Sequence, residues 1–198
     1  MIFPQRWLAA ALVLFAALCG AASAQVVTVA DVKYDTAMPL QGTQLVLNGA
    51  GVRYKAVFKV YAAGLYLEKK AGTPQEVAAL RGPKRLSITM LRDIDSAELG
   101  KLFSRGMEDN IDKASFSRLV PGVLRMSQIF SEHKKLSAGD TFTVDWLPGT
   151  GTVISVKGVV QGEPFREPEF FNALLGIWLG DRPADWKLKD ALLGKAGE

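Results

Sequence analysis

Cysteine and histidine are almost missing from this sequence, with one of each in 198 residues. Cys19 falls in an apolar stretch at the N-terminus, and the rest of the chain has none, which excludes disulfides, thiol nucleophiles, cysteine zinc sites and haem attachment from residue 25 onward. His133 stands alone in the polar run Ser131-Glu132-His133-Lys134-Lys135, the composition of a solvated loop or helix end, so no histidine pair exists to hold a metal. Phosphate loops, a Gly-x-Gly-x-x-Gly turn and a Gly-x-Ser-x-Gly elbow are also absent. Neither charge dominates: 24 Lys and Arg against 20 Asp and Glu give a net +4, spread along the chain without a basic block, and nucleic acid is not an expected partner. Long apolar runs are lacking as well. Residues 7–18 form the longest, short of the roughly 20 residues that a permanent membrane span needs.

That run is the centre of an export leader. Arg6 precedes it, and Ala22-Ser23-Ala24 supplies the small residues a signal peptidase requires before Gln25. Leu18 occupies the position before Cys19 where lipoprotein signals carry a small residue, so the cysteine is read as part of the leader and not as an anchor. The expectation is a cleaved segment, residues 1–24, followed by one domain, residues 25–198, in the periplasm or outside the cell, without a membrane span. About 170 residues is ample chain for one apolar core.

Strands come first: 44–47, then 52–67, then 85–91 after the Gly82-Pro83 break, with a short helix at 74–80 capped by Thr73-Pro74. Asp95-Ser96 opens a helix in which Leu99, Leu102, Phe103 and Met107 recur at helical spacing up to 110–111; Asp93, Asp95 and Glu98 suit its positive N-terminal end. A second helix is expected over 120–130, with Pro121 tolerated in its first turn. Segments 141–146 and 152–157 flank Leu147-Pro148-Gly149-Thr150-Gly151 as a hairpin, and helices follow at 168–179 and 184–193. Strands, helices, a hairpin and helices again describe an α+β fold, an antiparallel sheet packed against a layer of helices.

The most specific stretch is Leu47-Asn48-Gly49-Ala50-Gly51-Val52-Arg53-Tyr54-Lys55, read as an arginine entering a strand after a Gly-Ala-Gly turn, followed by Phe58-Lys59-Val60-Tyr61-Ala62-Ala63-Gly64-Leu65-Tyr66-Leu67. With Ser87 to Leu91, Glu108-Asp109-Asn110, Gly139-Asp140-Thr141-Phe142 and Gly176-Ile177-Trp178-Leu179-Gly180-Asp181-Arg182-Pro183, it resembles the chalcone isomerase family, and the last motif its bacterial chalcone-isomerase-like branch. The resemblance implies an open-faced sandwich with a ligand cleft between sheet and helices. It places Arg53 where a strand arginine of the plant isomerases stabilises an enolate, Tyr61 at the position of a catalytic threonine, and Asn110 at that of an asparagine. Phe103 stands where those enzymes have a tyrosine, and Phe171 near their last polar site residue.

A phenylalanine has no hydrogen to donate, and losing one preorganised donor costs about 3 kcal/mol of transition-state stabilisation. The retained pair, Arg53 and Tyr61, is instead similar to the one with which fatty-acid-binding members of the family hold a carboxylate: a guanidinium fork and one phenol suit a planar anion. The reading is therefore a noncatalytic binder of an apolar or aromatic acid, with Arg53, Tyr61, Phe103 and Asn110 as candidate ligand-binding residues and no metal or cofactor. Two alternatives stay open: an isomerase or lyase on a phenolic or enone substrate using Arg53, Tyr61 and Asn110, and an envelope protein-interaction module. One condition is geometric. Eight residues of straight strand would separate Arg53 from Tyr61 by about 26 Å, so the chain must turn between Tyr54 and Phe58, where neither Gly nor Pro is found.

Overall fold

The computed structural model describes residues 25–195, and the leader expected at 1–24 lies outside them. Strands β1 (Val26–Val29) and β2 (Val32–Asp35) form a small hairpin; β3 (Ala37–Leu40), β4 (Thr43–Lys55) and β5 (Phe58–Leu67) follow. Then come α1 (Pro74–Ala79), β6 (Lys84–Met90), β7 (Ile94–Asp95), α2 (Ser96–Glu108), α3 (Lys113–Ser131) and β8 (Lys135–Leu136). The chain ends with β9 (Thr141–Leu147), β10 (Gly151–Val156), β11 (Val159–Val160), α4 (Pro168–Leu179) and α5 (Trp186–Leu192). Seven strands make one antiparallel sheet in the order β11-β10-β9-β6-β5-β4-β3. The α+β architecture expected from the sequence is the one observed.

Alternation decides the two faces. Along β5, Tyr61, Ala63, Leu65 and Leu67 join the main core beneath the helices, whereas Ala62 and Tyr66 join Tyr34, Leu45 and Leu47 in a second cluster on the opposite face. Helix α2 is capped by Asp95, whose carboxylate accepts from the Glu98 N–H at 2.9 Å, and buries Leu99, Phe103 and Met107 at four-residue spacing. Each such burial contributes about 1.5–3 kcal/mol. Helix α4 is apolar nearly all round, burying Phe170, Phe171, Ala173, Leu174, Leu175, Ile177, Trp178 and Leu179, as a helix enclosed by the fold must.

Two sequence expectations need correction. The second long helix begins seven residues earlier than 120 and holds Pro121 in its interior. Asp112 caps it by accepting from the Ser115 N–H at 3.0 Å. Pro121 and Ser117 are both exposed, so the Ser117 carbonyl that loses its helical donor is left to water and the break is tolerated. The second correction is the Gly-Ala-Gly segment, which is strand and not turn: β4 runs unbroken from Thr43 to Lys55. Its glycines are there for α5, because a Cβ on Gly49 would collide with the Ala191 carbonyl oxygen and one on Gly51 would lie 2.6 Å from Ala191 Cβ. Asn48 is the extra residue of a bulge at this place, and its amide donates to Ala71 O (2.9 Å) and Leu192 O (2.7 Å) while accepting from Ala71 N–H (2.8 Å).

Candidate functional site

The chain does turn after Tyr54. Lys55 pairs with Phe58 across a two-residue loop in which Ala56 takes a left-handed conformation, φ +54°, without the glycine that usually fills it. Beyond the loop Tyr54 pairs with Lys59 and Arg53 with Tyr61, so Val60 is left over as a bulge. That bulge sets the site. With regular pairing Arg53 would face Val60, whereas the extra residue puts it directly opposite Tyr61, on the same face of the sheet. The guanidinium carbon lies 5.6 Å from the centroid of the Tyr61 ring, in the range of a cation–π contact.

Above this pair is a cleft of about 180 Å³ between sheet and helices. Leu99, Leu102, Phe103 and Gly106 of α2 form one wall; Ile177 of α4 and the Arg182-Pro183-Ala184 segment form the other. Arg105 and Arg182, both exposed, stand at its mouth with Asp109. A second hollow of about 190 Å³, lined by Lys55, Val60, Arg92, Ile94 and Glu98 among others, shares Arg53 and Leu102 with the first, which makes these two side chains the partition between them.

Tyr61 is buried, and its oxygen accepts a hydrogen bond from the Trp178 indole N–H at 2.8 Å. No acceptor for its own hydrogen is found among the described residues. Burial pushes the phenol up to about 12, with the Arg53 charge and the Trp178 hydrogen bond pulling back only in part. It is thus a fixed, neutral donor at any physiological pH. Arg53 has no carboxylate within 4 Å among the described residues, and its Nε is buried without a hydrogen-bond partner. The residue as a whole is half-buried, so only this one donor is shielded from water without an acceptor, a state it shares with the Tyr34, Ser96, Thr143 and Thr152 hydroxyls, and it differs from them in belonging to a charged group that lines the cleft.

Of the four candidates, three meet here. Phe103 lines the cleft and belongs to an aromatic cluster, with ring centroids 5.4 Å from Trp178, 5.3 Å from Phe130 and 5.7 Å from Phe142. Asn110 is elsewhere. Its Nδ2 donates to Gly106 O (2.8 Å) and Arg182 O (2.9 Å), and its Oδ1 accepts from Arg182 N–H (2.8 Å), so the amide fastens the end of α2 to the turn after α4. Gly180 belongs to the same clasp, since a Cβ there would collide with Asn110 Oδ1. Asn110 lines a different groove, with Asp112, Arg118 and Asn172. Phe171 packs against Trp146 at 5.9 Å, and His133 bonds to Gln161 Oε1 at 3.2 Å, both away from the cleft. Among the described residues, no three of His, Cys, Asp and Glu gather into a group able to hold a metal.

The profile of the chalcone isomerase-like family matches residues 26–194. The chain belongs to the chalcone isomerase-like family. Its fold is similar to the crystal structure of an Arabidopsis thaliana fatty-acid binding protein, with a TM-score of 0.67 over 85% of this chain and 96% of that one, at 15% identity. No curated protein matches the sequence. Within this family fold, sequence reasoning missed Trp178 as the partner of the Tyr61 phenol, and Leu99, Gly106, Ile177 and Arg182 as walls. Leu99, Phe103 and Gly106 do share one helical face, and a narrow reading of that face would have found them.

Proposed function

We propose that the chain is an exported binding protein for an apolar carboxylic acid, with Arg53 and Tyr61 holding the carboxylate at the floor of the cleft. The observation that carries this reading is the buried Arg53 Nε, without a partner among the described residues, beside a phenol whose hydrogen has no acceptor among them. Together they offer two charge-directed donors to one planar anion, and hydrogen bonds to a charged group contribute about 1.5–3 kcal/mol each. The neighbouring fold of a fatty-acid binding protein supports an acyl ligand.

The cleft volume constrains that ligand. About 180 Å³ is below the roughly 300–1,000 Å³ of most small-molecule sites, so in this form it takes the head group and the first part of a chain. A long chain enters by parting Phe103 from its aromatic neighbours, or by displacing Leu102 toward the second hollow. The isomerase alternative finds less support: Phe103 offers no donor, and both ends of the Asn110 amide are engaged elsewhere.

Export rests on Arg6, the apolar run and Ala22-Ser23-Ala24, and predicts a mature N-terminus at Gln25 in the periplasmic or culture fraction. Binding is tested by native mass spectrometry and lipid extraction of protein purified from its own host. A co-purifying acid that is lost in Arg53→Ala agrees with the proposal. Protein that carries no acid and whose melting temperature no acid raises overturns it.

A further inference from the structure

The β4–β5 hairpin does more than align the clamp. Its tip carries the most exposed large apolar side chain of the described residues, Val57 at 82%, next to Phe58 at 60%, with Tyr54 at 41%. Asp185 accepts from the Tyr54 N–H at 2.9 Å, which ties the start of α5 to the hairpin and brings in Trp186, itself 60% exposed. Val57 and Phe58 form the tip itself, Tyr54 lies on the opposite face of the hairpin from Phe58, and Trp186 stands next to the lip of the cleft, since Pro183 and Ala184, which line it, run straight into Asp185 and Trp186.

The hairpin itself carries only basic charge, with no acid between Val52 and Leu67. Lys55, Lys59, Arg92 and Lys187 are all exposed, and Arg92 stacks over the Phe58 ring at 5.4 Å. The acids lie behind the tip on other elements: Asp93 pairs with Lys135 at 2.7 Å, Asp95 and Asp185 cap α2 and α5 and keep their charge, and Glu98 shares the second hollow with Lys55 and Arg92. Aromatic rings at the edge of an apolar tip, ringed by lysine and arginine, are the chemistry of the lipid–water interface, where amphipathic rings sit at headgroup level and basic side chains meet anionic lipid. A protruding two-residue loop suits insertion between headgroups better than it suits a concave partner.

We infer that this hairpin tip, with Trp186, docks the protein on an anionic lipid bilayer. The docking stands on this surface alone. Delivery of a bilayer acid to Arg53, next in sequence to Tyr54, rests in addition on the binding function proposed above.

Flotation of the protein with phosphatidylcholine vesicles, with and without phosphatidylglycerol, tests it. Partition onto the anionic vesicles is expected to be at least tenfold stronger, and to collapse between about 0.1 and 1 M salt as the screening length falls from about 10 to 3 Å. Lys59→Glu is expected to weaken it more than the roughly fivefold that one basic residue near such a surface supplies. The double variant Val57→Asp, Phe58→Asp removes binding while circular dichroism and melting temperature stay unchanged, because both side chains are exposed. Vesicles shift the tryptophan emission to the blue in the parent protein and not in Trp186→Phe. Arg53→Gln retains vesicle binding and loses the acid, which separates docking from ligand binding. Equal partition onto both vesicle types overturns the inference, as does full binding by the Val57, Phe58 variant. So does an apolar tip that proves to drive self-association in sedimentation, or to hold a protein partner, without vesicle binding.

Discussion

Two arginines of the same sheet are handled in opposite ways. Arg85 on β6 meets Asp145 on β9 through two parallel hydrogen bonds, Nε at 2.7 Å and Nη2 at 2.5 Å, and the carboxylate is buried. Arg53 on β4 lines the cleft, and its buried Nε has no hydrogen-bond partner among the described residues. The first is matched by its own fold and serves structure; the second has no acceptor among the described residues, and in the proposed function the ligand supplies it. Burial pushes the Asp145 carboxyl above its ordinary range and Arg85 draws it back in part, the balance expected of a pair that cancels its own desolvation incompletely. Under that proposal, what separates the structural arginine from the binding one is not burial but whether the fold has built an acceptor for it.

The largest effect expected from breaking this contrast is on stability. Asp145→Ala leaves the Arg85 charge without its partner and costs about 3–5 kcal/mol in chemical denaturation, with acid affinity unchanged. Arg53→Ala does the reverse: melting temperature holds, and titration calorimetry shows acid binding weakened by about ten- to a hundredfold, the worth of a charged hydrogen bond. Tyr61→Phe comes next and blurs the division, because the phenol serves both the ligand and Trp178. Leaving the Trp178 N–H without an acceptor costs about 1–3 kcal/mol of stability, and affinity drops about tenfold or less.

The smallest expected effect is that of pH on the clamp. With the Tyr61 phenol raised from 10 to about 12, acid affinity stays level from neutrality to beyond pH 10. Tyr66 is likewise pushed to about 12 and Tyr34 higher still, in both cases by burial. These groups hold their protons more tightly folded than unfolded. Their contribution to stability is complete below pH 10 and is lost as pH rises from 10 through about 12. Phenolate absorbance should therefore appear for three of the four tyrosines together with unfolding. Ionisation of Tyr61 in the folded protein near pH 10 would contradict the buried geometry.

How much of this was legible in the sequence depends on whether the cause is local. Thr73 and Asp95 cap helices with their own side chains, which accept from the backbone N–H three residues on, and the 147–151 turn carries glycines at positive φ, so these elements could be read directly. The hairpin at Ala56 could only be inferred from the need to bring Arg53 to Tyr61, because a non-glycine residue in the left-handed region leaves no compositional mark. The Val60 bulge was invisible: it is a property of how two strands are paired, not of either one. Gly49 and Gly51 were misread as a turn because what they accommodate, Ala191, is some 140 residues away. Asn110 shows the limit of a family resemblance, which gave its position and not its partners.

In the proposed function, Arg53 Nε and the Tyr61 hydroxyl share one carboxylate. A crystal structure of the protein with a bromine-labelled saturated acid tests it directly. The prediction is a carboxylate oxygen within about 3 Å of both donors, with the labelled chain running past Phe103 or Leu102. An acid whose carboxylate lies away from the sheet, in the Asn110 groove for instance, with Arg53 Nε still bare, would contradict it.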